Sequence, residues 1–192
     1  MTYTAKNFES LLGSPGFSEP LLRNHFALYQ GYVANTNTLA EMLGALIEAG
    51  RTATPEYAEL KRRFGWEWNG MRLHELYFGN LTRRPEPLRE ETPLARKLSQ
   101  EFGSLARWEQ DFRSTGSMRG VGWVLLVHER SGGRLFNTWI DEHDAGHLAG
   151  AEPLLVMDVF EHAFMLDYGL KRADYIESFF RAIHWAEVAA RF

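Results

Sequence analysis

Pro153-Leu154-Leu155-Val156-Met157-Asp158-Val159-Phe160-Glu161-His162 is the stretch on which the reading of this chain turns. An apolar run is closed by a carboxylate, and an imidazole follows four residues later. A strand running into a helix start aims both groups toward one point. Asp oxygen together with His nitrogen suits a divalent first-row metal such as iron, manganese or zinc. The competing reading is local, a helix-capping Asp beside a surface or interface His. The rest of the chain has to decide between them.

Upstream, Gly120-Val-Gly-Trp-Val-Leu-Leu-Val127 is rich in β formers, Ser131-Gly132-Gly133 is a turn, and Arg134-Leu-Phe-Asn-Thr-Trp-Ile140 is a second strand. The pair predicts a hairpin. A polar loop over 141–152 leads into a third strand that ends at Asp158, and helices are expected over 160–166 and 174–190. Before the hairpin, Phe102, Leu105, Trp108 and Phe112 recur at helical spacing and predict one amphipathic helix over 94–113.

Further back the texture is helical throughout. Residues 1–17 read as an arm and turn, with Gly13-Ser14-Pro15-Gly16 as a breaker cluster. Ser18 as N-cap and Pro20 in the first turn open a long helix that Gly50 ends. Helical segments are expected over 55–64 and 69–81, and three Pro with many charges mark 82–93 as a linker. The fold class is therefore α+β: a helical hairpin domain over 1–88 and an α/β domain with a small antiparallel sheet over 89–192.

Composition narrows the function. With 45% hydrophobic and 14% aromatic residues in 192, the chain can bury a sizeable core. A net charge of −4 gives no basic footprint for nucleic acid. No apolar run approaches the roughly 20 residues that span a bilayer, and the N-terminus lacks the core of a secretory signal. There is no Cys, so thiolate ligands, thiol nucleophiles and disulfides are excluded. Any metal site must draw on His, Asp, Glu, Asn or Gln, and a cytoplasmic location is the default.

Seven His are available, at 25, 74, 128, 143, 147, 162 and 184. His74, among Leu73, Leu76, Tyr77 and Phe78, reads as a packed core residue when taken alone. His128 is expected to be exposed, His143 and His147 lie on the polar loop, and His184 reads as structural. On the first helix Asn24, Leu28, Tyr32 and Asn35 recur at three- to four-residue spacing and share a face, with His25 about 100° away from Asn24. That face meets either solvent or a polar site, because buried polar groups need partners.

Asp158-Val-Phe-Glu-His162-Ala with the preceding Pro153-Leu-Leu, and Tyr32-Val-Ala-Asn35-Thr-Asn37, resemble the iron/manganese superoxide dismutase family. So do Phe102-Gly-Ser-Leu, Gly122-Trp123, Tyr175-Ile-Glu and Trp185, in matching order from about residue 8 to residue 192. The resemblance implies a helical hairpin domain joined to an α/β domain with a three-stranded antiparallel sheet. It implies one iron or manganese per chain, held by three His and one Asp. Laid on this sequence, these fall on His74, Asp158 and His162. The first-helix His falls on Asn24, counting back from Tyr32-Val33 without a gap, and the adjacent His25 would need a one-residue shift.

The resemblance also implies a gateway role for Tyr32, with Leu28 where the family has a His one turn earlier. Phe164-Met165 stand where it has Tyr-Tyr, and Phe160 where it has Trp. Many members aim a Gln at the metal-bound solvent from one of two places, here Gly70 and Glu142. Glu142 could donate a proton, ligate the metal or point to solvent, and whether His143 turns inward stays open. The implied activity is dismutation of superoxide to oxygen and hydrogen peroxide, with altered surroundings; the alternatives are other oxygen chemistry or no catalysis. A homodimer is implied, with Glu161 contacting a metal-ligand His across the interface.

Overall fold

The computed structural model describes residues 2–192. Two long helices, α1 (Glu19–Glu48) and α2 (Pro55–Gly79), form an antiparallel hairpin. Each starts on a hydroxyl cap followed by Pro: Ser18 Oγ accepts from Leu21 N–H at 3.2 Å, and Thr54 Oγ1 accepts from Tyr57 N–H at 3.2 Å. An oxygen in this position satisfies a donor that the first turn otherwise leaves unpaired. The sequence predicts two helical segments over 55–81. They are one helix, because Gly65 and the polar residues between them lower helical propensity without supplying a cap or a Pro.

The reverse holds over 94–113. Here α3 (Pro93–Phe102) and α4 (Leu105–Gly116) replace a single helix. Gly103 takes the left-handed conformation at φ 85, and Ser104 caps the new helix by accepting from Arg107 N–H at 3.1 Å. A Gly that ends one helix beside a Ser that starts the next overrides the continuous apolar spacing.

Three antiparallel strands follow, β1 (Gly122–Glu129), β2 (Arg134–Asp141) and β3 (Ala151–Asp158), in the spatial order β2-β1-β3. The register pairs Trp123 with Asp158 on one side and Gly122 with Asp141 on the other. One end of the sheet thus collects Trp123, Asp158 and the start of the 142–150 loop. The β1–β3 ladder shifts register between Leu126 and Val127, opposite Pro153, whose ring nitrogen has no N–H to give. The chain then forms a 3-10 turn at Glu161–Ala163 and short helices α5 (Met165–Tyr168), α6 (Arg172–Phe180) and α7 (Trp185–Ala190).

One hydrophobic cluster runs from Leu11 through both helices of the hairpin, all three strands and α6 to Val188. Where the halves meet, α2 packs on β3 and α1 on the turn after β3. Ser18 N–H and Oγ both bond the Asp167 carboxylate, at 2.7 and 2.5 Å, which ties the start of α1 to α5. Among the described residues no helix is long and apolar enough to cross a membrane.

Candidate metal centre

Four side chains converge where the halves join: His25 from α1, His74 from α2, Asp158 at the end of β3 and His162 from the following turn. One donor atom of each lies within 4.8 Å of all the others. Asp158 Oδ2 is 3.2 Å from His25 Nε2, 3.1 Å from His162 Nε2 and 3.7 Å from His74 Nε2. The other side of Asp158 is already occupied. Oδ1 accepts from Phe160 N–H at 2.9 Å, and the main-chain carbonyl accepts from Tyr175 Oη–H at 2.6 Å.

These contacts fix which atoms remain free. His74 Nδ1–H donates to the Gly70 carbonyl at 2.6 Å, as expected four residues apart on one helix face. That leaves Nε2 as the lone-pair nitrogen, and it is a buried atom with no hydrogen-bond partner. An orphaned acceptor, in a residue with no exposure, facing a fully buried carboxylate and two further imidazoles, fits a bound cation. Burial pushes His25 and His74 below the ordinary histidine range, so both are neutral and can donate lone pairs. Burial alone would raise the Asp158 carboxyl, yet the neighbouring His162 and His25 hold it well below the usual carboxylate range. The set N, N, N, O⁻ with one negative charge fits a first-row divalent or trivalent metal.

Asn24 is not in this group. It lies on the exposed side of α1, and His25 is the buried neighbour at 2% exposure. Seven residues separate His25 from Tyr32, within about 20° of two full turns, whereas eight residues put Asn24 about 80° off that line. The face that reaches the interior is His25, Tyr29, Tyr32 and Thr36, not Asn24, Leu28, Tyr32 and Asn35.

Tyr32 lies beside the cluster, its ring stacked on His74 with centroids 5.1 Å apart. Gly70 permits this approach, since a Cβ there would stand 2.6 Å from the Tyr32 ring. The Tyr32 hydroxyl is 2.8 Å from Nε2 of His143, which has no exposure. Trp123 Nε1–H donates to His143 Nδ1 at 3.0 Å. An indole nitrogen can only donate, so Nδ1 accepts, the ring proton sits on Nε2, and it is donated to Tyr32 Oη. The Tyr32 hydroxyl proton is then free to turn toward the metal centre. Burial lowers His143 to about 4, and burial, followed by the Asp158 charge, raises Tyr32.

Glu142 does not enter the centre. Its side chain is exposed and accepts from Trp66 Nε1–H at 2.8 Å, so the inward residue of this loop is His143. His128, expected to be exposed, is 9% exposed and packs against Phe192 with ring centroids 5.0 Å apart. Glu161, Leu28 and Met165 are exposed, and His162 keeps 28% of its side-chain surface exposed. The sequence pattern alone leaves the direction of His143 open and marks no role for Trp66. The seven-residue spacing to Tyr32 was the signal for His25, whereas nothing local marks His143 as inward.

A family model described as iron/manganese superoxide dismutases, C-terminal domain, matches residues 90–191. A manganese superoxide dismutase of Haloferax volcanii is 36% identical over 180 residues, covering 93% of this chain and 88% of its own. Iron superoxide dismutases of Cupriavidus metallidurans and Aquifex pyrophilus are each 36% identical, over 92% of this chain and 89% and 84% of theirs.

Proposed function

The chain belongs to the iron/manganese superoxide dismutase family, and from that premise we propose that it dismutes superoxide to oxygen and hydrogen peroxide at one iron or manganese ion held by His25, His74, Asp158 and His162. The observation that carries the assignment is the orphaned His74 Nε2, buried and aimed at Asp158 and the two other imidazoles. When bound, the metal supplies the one-electron couple that oxidises one superoxide and reduces the next.

The remaining work falls to the chain's own residues. Tyr175 holds the Asp158 main chain, the Phe160 N–H holds its carboxylate, and Gly70 fixes the His74 tautomer, so the donor atoms are oriented before any ion arrives. Burial raises the Tyr32 pKa so that it keeps its proton, and the His143 Nε2–H fixes the Tyr32 oxygen, which leaves the hydroxyl proton to hydrogen-bond toward the metal centre. Trp123, Tyr32 and Phe160 enclose the group and limit water. With Glu142 turned outward, the protein partner of Tyr32 in this role is His143.

The chain also works, in this proposal, as a homodimer in which Glu161 of one copy meets the exposed edge of His162 in the other. Exposure of Glu161, and of the apolar Leu28 and Met165, supports that pairing. The cysteine-free sequence supports a cytoplasmic setting.

The test pairs metal content with dismutation in the same sample, reconstituted with iron and with manganese. Wild-type protein should bind one ion per chain and dismute superoxide. His25→Ala should lose most of its metal, and Asn24→Ala should keep both metal and activity. Full occupancy with negligible dismutation for both metals would reject the activity while leaving the metal centre standing.

A further inference from the structure

The loop that delivers His143 is held in an uncommon way. Glu142, at φ 49, is the non-glycine residue with positive φ among the described residues. For a side-chain-bearing residue this conformation is strained, and strain of this kind persists only where its surroundings enforce it. The enforcing contacts are on hand. Glu142 N–H donates to the Val121 carbonyl at 3.2 Å, and its carboxylate accepts from Trp66 Nε1–H at 2.8 Å. Trp66 comes from α2, on the far side of the junction between the two halves.

Trp66 does more than receive Glu142. Its ring meets His143 edge to face with centroids 4.4 Å apart and lies 5.6 Å from the Tyr32 ring. Arg63 covers its other face, with the guanidinium carbon 3.7 Å from the ring centroid, and is itself anchored on Glu67 at 2.7 Å. The Trp66 plane is therefore fixed by a cation on one side and by Glu142 at its edge. It walls in the pair that, on the reading above, orients a proton toward the metal.

We propose that Trp66 and Glu142 form a clasp across the junction between the halves that positions His143 in a single tautomer and, through it, the Tyr32 hydroxyl. Both are positioning residues, since neither touches the metal cluster. Opening the clasp lets the backbone at 142 leave the left-handed region, and the His143 imidazole then loses its alignment with Trp123 Nε1–H. With that donor lost, the ring proton distributes over both nitrogens and Tyr32 no longer receives a fixed hydrogen bond. The proposal rests on the dismutase reading only for its effect on rate; the tautomer itself is independent of activity.

The test uses full-length protein loaded with zinc, which is diamagnetic, and 15N-histidine NMR, alongside steady-state kinetics of the iron- and manganese-loaded forms. Wild type should show His143 as one neutral tautomer, protonated at Nε2, with a slowly exchanging Trp123 indole proton. Glu142→Gln keeps an acceptor for Trp66 and should preserve both signatures. Trp66→Phe and Glu142→Ala should give an averaged tautomer and a fast-exchanging indole proton. In the loaded enzyme they should lower kcat about tenfold with KM changed by less than about twofold, as for other residues that orient a metal site from outside it. A wild-type tautomer signature in both Trp66→Phe and Glu142→Ala would overturn the proposal. An inactive wild type with the NMR pattern above would instead overturn the dismutase reading and leave the clasp standing.

Discussion

His143 carries a pH signature that can be separated from that of the metal centre. In the unfolded chain its imidazole takes up a proton as the pH falls through about 6.5, whereas in the folded protein burial keeps it neutral down to about 4. Between these values the unfolded state binds the extra proton, so stability falls as the pH is lowered, by up to about 1.4 kcal/mol per pH unit for one group. His143→Gln removes the titration and keeps an amide that can meet both Trp123 and Tyr32. Urea unfolding at pH 7 and pH 5 should therefore show a smaller loss for the variant than for wild type. Equal losses would mean that His143 is not held neutral. The same residue marks where the sequence stopped being informative. Asp158 and His162 stand four residues apart where a strand runs into a turn, whereas His74, on a strongly apolar face, reads as core when taken alone and is singled out only by the family resemblance. Glu142 and His143 are neighbours on a polar loop, and which one turns inward depends on a positive φ that no residue type announces.

At the scale of elements, β1 sets the alignment of everything around it. Gly122, at φ 151, opens the strand, and a Cβ there would lie 2.0 Å from the Ile140 carbonyl oxygen. Gly122→Ala must therefore break the Gly122–Asp141 pairing or bend the strand, at a cost of about 3 kcal/mol. Denaturant unfolding should show that loss, and metal content should fall with it, because Trp123 and Asp158 face each other one residue further on. An undiminished midpoint would mean that the hairpin tolerates a second register. The hairpin, the third strand and both long helices could be read from alternation, turn residues and caps. The helix expected over 174–190 parts into α6 and α7 at 181–184 with no Gly or Pro to mark it, whereas the break after α3 has φ-specific chemistry. Gly103-Ser104 supplies it and divides a helix whose apolar spacing looks continuous. Gly65 inside α2 does not, and that helix runs through.

For the whole molecule, the centre belongs to neither half alone. α1 and α2 bring His25 and His74, and the sheet and its exit turn bring Asp158 and His162. An ion bound there stabilises the contact between the halves by mass action, because the unfolded chain presents no such set. Stripping it with a chelator should lower Tm by about 10 °C, taking a thousandfold excess of ion over Kd as the reference state. Calorimetry of stripped and reloaded protein checks this, and a Tm indifferent to loading would place the ion elsewhere. At this scale the rotation of α1 decides between neighbours: ungapped counting from Tyr32-Val33 puts the expected donor on Asn24, whereas the buried side of the helix carries His25. Packing against α2 and the turn after β3 fixes which side of that helix is inside, in line with the seven-residue spacing from His25 to Tyr32.

The donors also impose an order of manufacture. His25 and Asp158 lie 133 positions apart, and Ser18 and Asp167, which tie the same elements together, lie 149 apart. On the ribosome, a nascent chain with its helical hairpin made and β3 not yet emerged holds two imidazoles and no carboxylate. Such a chain offers two of the four donors and no negative charge from the set to offset that of a cation. The four donors are therefore present together only once synthesis has passed residue 162 of 192.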